Sequence, residues 1–97
     1  MLHIINKSPY ENNSLDSCLR VAPGGDVLLI EDAVYAATGG ATEKQVTEAM
    51  KQFKFHVLQP DLEARGIADK VIAGVNKVDY AGFVELVEKN ENCQSWL

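Results

Sequence analysis

The sequence predicts an α/β fold in which a mostly parallel sheet lies between helices. Short apolar runs alternate with amphipathic segments, as in strand–helix–strand units joined by right-handed crossovers. Residues 27–30 form an unbroken apolar run, which is typical of a strand buried on both faces. The 97 residues, 46% of them hydrophobic, suffice for one modest core. We therefore expect a single domain over residues 1–97, with three layers and a sheet of four to five strands.

Apolar runs predict four strands, and the polar tail could form a fifth. The strands are predicted at residues 2–6, 27–30, 55–58 and 75–78, with an edge strand in the tail at 92–97. Helices are predicted at 14–22, 33–37, 43–52, 62–65 and 80–89. Sites in parallel sheets lie beyond the carboxyl ends of the strands. The predicted site loops are therefore residues 7–10, 31–35, 59–61 and 79–80.

Polar residues predict where the helices begin. Asn13, with Asp16 three residues later, fits a capping box for the first helix. Asp32, Thr42 and Asp79 are predicted to cap later helices. The last helix is predicted to bury four apolar side chains, those of Phe83, Val84, Leu86 and Val87.

Charge and cysteine content exclude several classes of protein. The net charge of −5 argues against a dedicated nucleic-acid binder, which needs a surplus of Lys and Arg. No apolar run is long enough for a membrane span, and the first residues fit an opening strand better than a signal peptide. Two distant cysteines do not suggest a disulfide scaffold, so we expect a reducing, cytoplasmic location.

Cys18 and Cys93 are the candidate nucleophiles, because a cysteine thiolate is a stronger nucleophile than the other side chains of this sequence. Cys18 lies past the first turn of the first helix, where activation by the helix dipole is weak. It fits a core residue as well as a reactive one. Cys93 lies in the polar tail and is either a reactive terminal thiol or an incidental one.

Other titratable groups also have both a functional and a structural interpretation. Glu31 and Asp32 follow the most buried strand and fit acid–base chemistry or a helix start, and Tyr35 fits a pocket or an interface. His3 and His56 lie in strands, where packing roles are the commoner ones. The spacing of Cys and His does not fit zinc, and the glycine pairs form no nucleotide-binding loop, so we expect no metal or organic cofactor.

The whole chain resembles the DsrH/TusB family. The resemblance is carried by stretches that occur in the family's order: residues 2–3, 6–10 (NKSPY), 13–19 (NSLDSCL), 29–37 (LIEDAVYAA), 60–66 (PDLEARG), 78–84 (VDYAGFV) and 96–97. It implies a flavodoxin-like subunit of a cytoplasmic heterohexamer that relays sulfur as cysteine persulfide. The implied partners are a DsrE/TusD-like and a DsrF/TusC-like paralogue, with a DsrC/TusE-like protein as the sulfur acceptor.

Two details of the resemblance bear on the role of this chain. The family's main persulfide cysteine belongs to the DsrE/TusD chain, in the loop after its third strand. The matching loop here, residues 59–61 (QPD), has no thiol, so this chain is not expected to be the main carrier. Residues 13–19 resemble the DsrH branch, which has a cysteine in its first helix that TusB chains generally lack. Cys18 is therefore the candidate secondary persulfide site.

The leading hypothesis is an accessory subunit of a DsrEFH-type complex that serves sulfur oxidation by exchanging sulfur with DsrC. The first alternative is the TusB role in a relay for 2-thiolation of the tRNA wobble uridine, without direct tRNA binding by this acidic chain. The second is a scaffold subunit that carries no sulfur. The third is an independent small-molecule enzyme that uses Glu31, Asp32 and Tyr35.

Overall fold

All five strands belong to one parallel sheet with the order β4-β3-β2-β1-β5. The computed structural model describes residues 1–96. The predicted α/β fold is confirmed, including the edge strand in the tail; Leu97 lies outside the described residues. The strands are β1 (Leu2–Ile5), β2 (Gly25–Leu29), β3 (Phe53–Leu58), β4 (Asn76–Val78) and β5 (Cys93–Trp96). The helices are α1 (Ser14–Val21), α2 (Glu43–Ala49), α3 (Gln59–Ala64) and α4 (Tyr80–Lys89), with 3-10 helices at Glu31–Ala37, Gly40–Thr42 and Ala68–Lys70.

The strand order explains why the two faces of the sheet are covered unequally. The chain moves in one direction from β1 to β4 and then returns once, through α4, to place β5 beside β1. Right-handed crossovers that move in opposite directions put their helices on opposite faces. The first face accordingly carries α1, the long 3-10 helix, α2 and α3, whereas the second face carries α4 alone.

The core lies almost entirely on the first face. Its largest cluster joins strand residues such as Ile5, Val27 and Phe55 to Leu15 of α1 and Val46 of α2. The second face has a small cluster in which Leu86 of α4 packs on Leu2 and Leu28. Outer strands of a five-stranded sheet lie about 19 Å apart, and a helix with its side chains is about 10 Å wide. One helix therefore covers only about half of this face.

The final helix begins where the sequence predicts but buries less than predicted. The Asp79 side chain accepts the Gly82 N–H at 2.8 Å, which confirms the predicted cap. Leu86 is buried, as predicted, whereas Phe83 is only half-buried. Val84 and Val87 are 54% and 40% exposed, so their predicted burial is wrong. The apolar side chains of α4 spread over a wider arc of the helix than the sheet covers, so only some of them are buried.

Three of the predicted caps are also wrong, because each side chain has a different partner or none. The Ser14 N–H donates to the side chain of Asn12 at 2.8 Å, and Asn13 caps nothing. The Thr42 hydroxyl donates instead to the Ala36 carbonyl, and the Asp32 carboxylate binds an arginine. Each of these helices still begins within about two residues of its predicted start.

No helix in the described part of the chain is long and apolar enough to cross a membrane.

Candidate functional site

The carboxyl edge of the sheet brings two of the predicted site loops together. Glu31 lies two residues after Leu29, the last residue of β2, and has φ +51°, a left-handed conformation that costs a non-glycine residue energy. The Glu31 N–H donates to Asp61 Oδ2 at 2.7 Å, across the start of α3. The loops after β2 and β3 are thus joined by a carboxylate, and the Glu31 side chain itself is exposed.

A second contact holds the same two loops in place. Arg65 donates through Nη2 and Nε to Asp32 Oδ1, at 2.8 and 3.1 Å, and through Nη1 to the Asp61 carbonyl at 3.0 Å. This ion pair is largely open to water, so we assign it at most about 1 kcal/mol of stability. Its consequence is geometric, because it fixes the end of α3 against the 3-10 helix.

These contacts indicate that Glu31 and Asp32 have structural roles and not roles in acid–base chemistry. Asp32 is neutralised by Arg65, and Asp61, not Asp32, accepts the backbone N–H at the start of the 3-10 helix. Tyr35 is half-buried, and no hydrogen bond among residues 1–96 joins its phenol to either carboxylate. No cysteine of residues 1–96 lies in the loops at this edge, since Cys18 is in α1 and Cys93 begins β5. The edge therefore presents charges without a nucleophilic sulfur.

Cys18 lies within the main core. Its side chain is fully buried, on the face of α1 that packs against the sheet beside Leu15. Burial raises the pKa of the Cys18 thiol to about 11, because an apolar surrounding disfavours the thiolate. A persulfide on this sulfur would require α1 to move away from the sheet. The role of Cys18 as a secondary sulfur site stays a prediction.

Cys93 has the opposite surroundings. It is exposed at the start of β5, an edge strand, and its backbone is in register with Leu2. Its side chain shares the second face of the sheet with Leu2, since paired residues of parallel strands point the same way. Cys93 is the accessible thiol among the residues that the structure describes.

A buried polar network lies beneath the end of α4. Asp26 of β2 and His56 of β3 are both buried, and the His56 Nε2–H donates to Asp26 Oδ1 at 2.9 Å. Asn90 donates to Asp26 Oδ2 at 3.2 Å, and Lys89 Nζ lies 3.6 Å from the same oxygen. Burial alone would raise the pKa of the Asp26 carboxyl. The hydrogen bonds from His56 and Asn90 and the charge of Lys89 outweigh burial, and the pKa lies below its usual value.

This network opens onto a groove between α4 and the neighbouring strands β3 and β4. The groove has a volume of about 440 Å³, and its walls include His56, Asn76, Glu85 and Lys89. His56 Nδ1 is buried and has no hydrogen-bond partner among residues 1–96. The pair could not be identified from the sequence, because it depends on how β2 and β3 align. Asp26 and His56 lie on the same face of neighbouring strands, two residues apart in register.

His3 has a structural role at the opposite side of the sheet. The Trp96 indole N–H donates to His3 Nδ1 at 3.2 Å, so the proton of a neutral ring lies on Nε2, which faces the Gly24 carbonyl at 3.2 Å. His3 thus ties β5 and the start of β2 to β1, as the packing interpretation expected. An apolar pocket of about 270 Å³ lies beside it.

Fold and site together define a small parallel α/β domain. Within residues 1–96 the carboxyl edge of its sheet has no nucleophilic sulfur, and the second face of the sheet is half covered. The profile of the family described as "DsrH like protein" matches residues 7–93. The chain belongs to this DsrH/TusB family. It is 37% identical to Protein TusB of Pectobacterium parmentieri and 34% identical to Protein TusB of Klebsiella pneumoniae (strain 342). Each match covers 99% of this chain and 100% of the relative.

Two solved structures share the fold. The ychN protein from E. coli superposes with a TM-score of 0.78 at 21% identity and covers 97% of both chains. The protein MTH1491 from Methanobacterium thermoautotrophicum gives a TM-score of 0.73 at 17% identity, over 97% of this chain and 95% of its own. At these identities the likeness concerns the fold alone.

Proposed function

We propose that this chain is an accessory subunit of a cytoplasmic sulfur-relay complex, in which sulfur moves as persulfide between paralogous subunits. The observation that carries the proposal is the family match over residues 7–93 combined with a carboxyl edge that holds no thiol. A chain built in this way needs a partner to supply the main sulfur carrier. The implied partners are a DsrE/TusD-like and a DsrF/TusC-like paralogue.

The chemistry of such a relay is thiol–persulfide exchange. A thiolate attacks the outer, sulfane sulfur of the donor persulfide; a new S–S bond forms, the old one breaks, and the donor leaves as a thiolate. No net oxidant or reductant is consumed. A sulfur that takes part must be accessible and partly ionised, which Cys18 is not in this conformation. We therefore propose a stabilising role for this chain, with loading of Cys18 only if assembly displaces α1. Cys93 is exposed but lies outside the sequence stretches that resemble the family, so we assign it no part in the relay.

Two acceptor branches are compatible with this role. The DsrEFH branch, with DsrC as the acceptor, is supported by the cysteine in the first helix within residues 13–19. The TusB branch, with a TusE-like acceptor upstream of tRNA thiolation, is supported by the full-length relatives named Protein TusB. Offering the assembled, sulfur-loaded complex both acceptors separates the branches by which of them gains 32 mass units.

The test of the proposed function is reconstitution with the two paralogous subunits, purified separately. We expect a stable complex in which a persulfide donor loads the DsrE/TusD-like subunit and transfer to the acceptor needs this chain. The variant Cys18→Ala keeps the core apolar and should leave transfer within about twofold of wild type. A drop of tenfold or more, with assembly intact, would instead assign Cys18 a sulfur-carrying role. Failure of the three chains to assemble would overturn the proposal.

A further inference from the structure

The outer flank of α4 carries an apolar surface that this chain does not cover. Tyr80, Val84 and Val87 are 61%, 54% and 40% exposed. At 100° per residue they fall within an arc of about 60° on the helix, so they form one stripe. We call these three residues the α4 stripe. Single exposed apolar residues are common, but three in register on one helix mark a contact surface.

The position of the α4 stripe follows from the contacts of the other sides of the helix. Phe83 and Leu86 face the sheet, and Glu85 and Lys89 line the groove toward β3 and β4. The middle of the stripe lies about 150° around the helix from the middle of Glu85 and Lys89, and therefore on the flank toward β1 and β5. On that side of the second face, Cys93 and Ser95 are exposed and Ile4 is only half-buried. The stripe thus borders the part of the sheet that has no helix.

Charge indicates what can cover this surface. Glu88 is exposed and adjoins the stripe on its solvent side, and Glu91 is the second residue after the end of the helix. The chain has a net charge of −5. Two-fold packing of α4 against α4 from a second copy would bring equivalent glutamates toward each other, which disfavours a homodimer through this surface. A different chain with Lys or Arg around an apolar contact has complementary charge.

We propose that the α4 stripe is the docking surface for a paralogous subunit that presents apolar side chains framed by Lys or Arg. This assignment rests on the sulfur-relay function proposed above and adds to it the face through which this chain joins the complex. The apolar stripe supplies the buried contact, and Glu88 at its rim accelerates association and makes it sensitive to salt.

The test uses the intact chain and the purified paralogous subunits. The double variant Val84→Lys/Val87→Lys puts a better helix former than valine at two exposed positions and should melt within a few degrees of wild type. It should weaken binding to the partner by tenfold or more. Each valine has only about half of its side chain left to bury, so the two together are worth about as much as one full valine, about 1.5 kcal/mol or tenfold in Kd. Val21→Lys is the matched control, since Val21 is 74% exposed at the end of α1, away from the stripe.

The outcomes separate the two proposals. Wild-type affinity in the double variant would overturn the docking surface while leaving the relay complex intact. If the wild-type chain dimerises alone and the double variant is monomeric, the α4 stripe binds a second copy of this chain and not a paralogous subunit. A wild-type chain that never assembles with the paralogues would overturn both. In the single variant Glu88→Lys, an association rate that no longer falls with added salt supports the charge complementarity, and an unchanged salt dependence contradicts it.

Discussion

Cys18 and Cys93 have the same side chain and opposite surroundings. Cys18 is fully buried beneath α1 with a pKa of about 11, whereas Cys93 is exposed at the sheet edge. At neutral pH the buried Cys18 is therefore almost entirely in the unreactive thiol form. Sequence alone could name Cys18 as a candidate, but its reactivity depends on solvent and neighbours that only the fold defines.

We expect the native chain to show one reactive thiol. With iodoacetamide at pH 8, Cys93 should be alkylated within minutes and Cys18 should remain unmodified until the protein unfolds. Peptide mass spectrometry resolves the two sites. The variant Cys93→Ser should leave no fast-reacting thiol, and rapid alkylation of Cys18 in that variant would show that α1 opens readily.

At the scale of elements, the four predicted caps show what a local sequence pattern can decide. Asp79 caps α4 as predicted, because its side chain reaches the Gly82 N–H and has no competing partner. At α1 the neighbouring Asn12 reaches the Ser14 N–H instead of Asn13. The sequence pattern located the start of the helix. Which of the two adjacent asparagines accepts the Ser14 N–H depends on backbone angles that the sequence pattern does not specify.

The caps provide a matched pair of variants. Asp79→Ala should lower the free energy of unfolding by about 1 kcal/mol, because the Gly82 N–H loses its acceptor. Asn13→Ala should change it by less than about 0.5 kcal/mol, since Asn13 is exposed and its side chain caps nothing. Urea denaturation followed by circular dichroism measures both. Equal losses would contradict this assignment of the caps.

The buried network at Asp26 should make the attachment of α4 depend on pH. The pKa of Asp26 is lower in the folded chain than its ordinary value. The ionised carboxylate therefore contributes stability above about pH 4, the ordinary carboxyl range, and this contribution is lost as the pH falls through the lower folded pKa. Asp26→Asn should cost about 1–3 kcal/mol at pH 7, and this cost should shrink below about pH 4.

Urea titrations of wild type and Asp26→Asn at pH 7, 5, 4 and 3 test this dependence. Asp69→Asn is the control, because Asp69 is exposed in a short 3-10 helix far from this network in sequence. A cost of Asp26→Asn that stays constant from pH 7 to pH 3 would mean that the carboxylate charge is not what the network stabilises.

For the whole molecule, the sequence predicted the fold well and its uncovered surfaces poorly. Alternating elements and the apolar run at 27–30 suffice for a parallel sheet, because few other arrangements bury them. The exposure of Val84 and Val87 could not be read from the same pattern. An apolar helix face looks identical in sequence whether the sheet or another protein covers it. Asp26 and His56 are 30 residues apart in sequence, so their hydrogen bond could be predicted only with knowledge of how β2 and β3 align.

The charge of the whole chain leads to a prediction about nucleic acid. With a net charge of −5, the purified chain should not retard tRNA in a native gel at 150 mM salt, at protein concentrations up to about 100 μM. A basic tRNA-binding protein run in parallel shows that the assay detects binding. Retardation by this chain, abolished by excess salt, would indicate a local basic surface that outweighs the total charge.

The return of the chain to place β5 beside β1 has a consequence for synthesis on the ribosome. Leu2 pairs with Cys93, so β1 keeps one unpaired edge until nearly the whole chain has emerged. Contacts between such distant positions form late and slow folding. During that interval the nascent chain exposes a strand edge that can pair with a wrong partner. Early encounter with a protective partner would shorten the exposure, so simultaneous production of interacting chains would favour soluble yield.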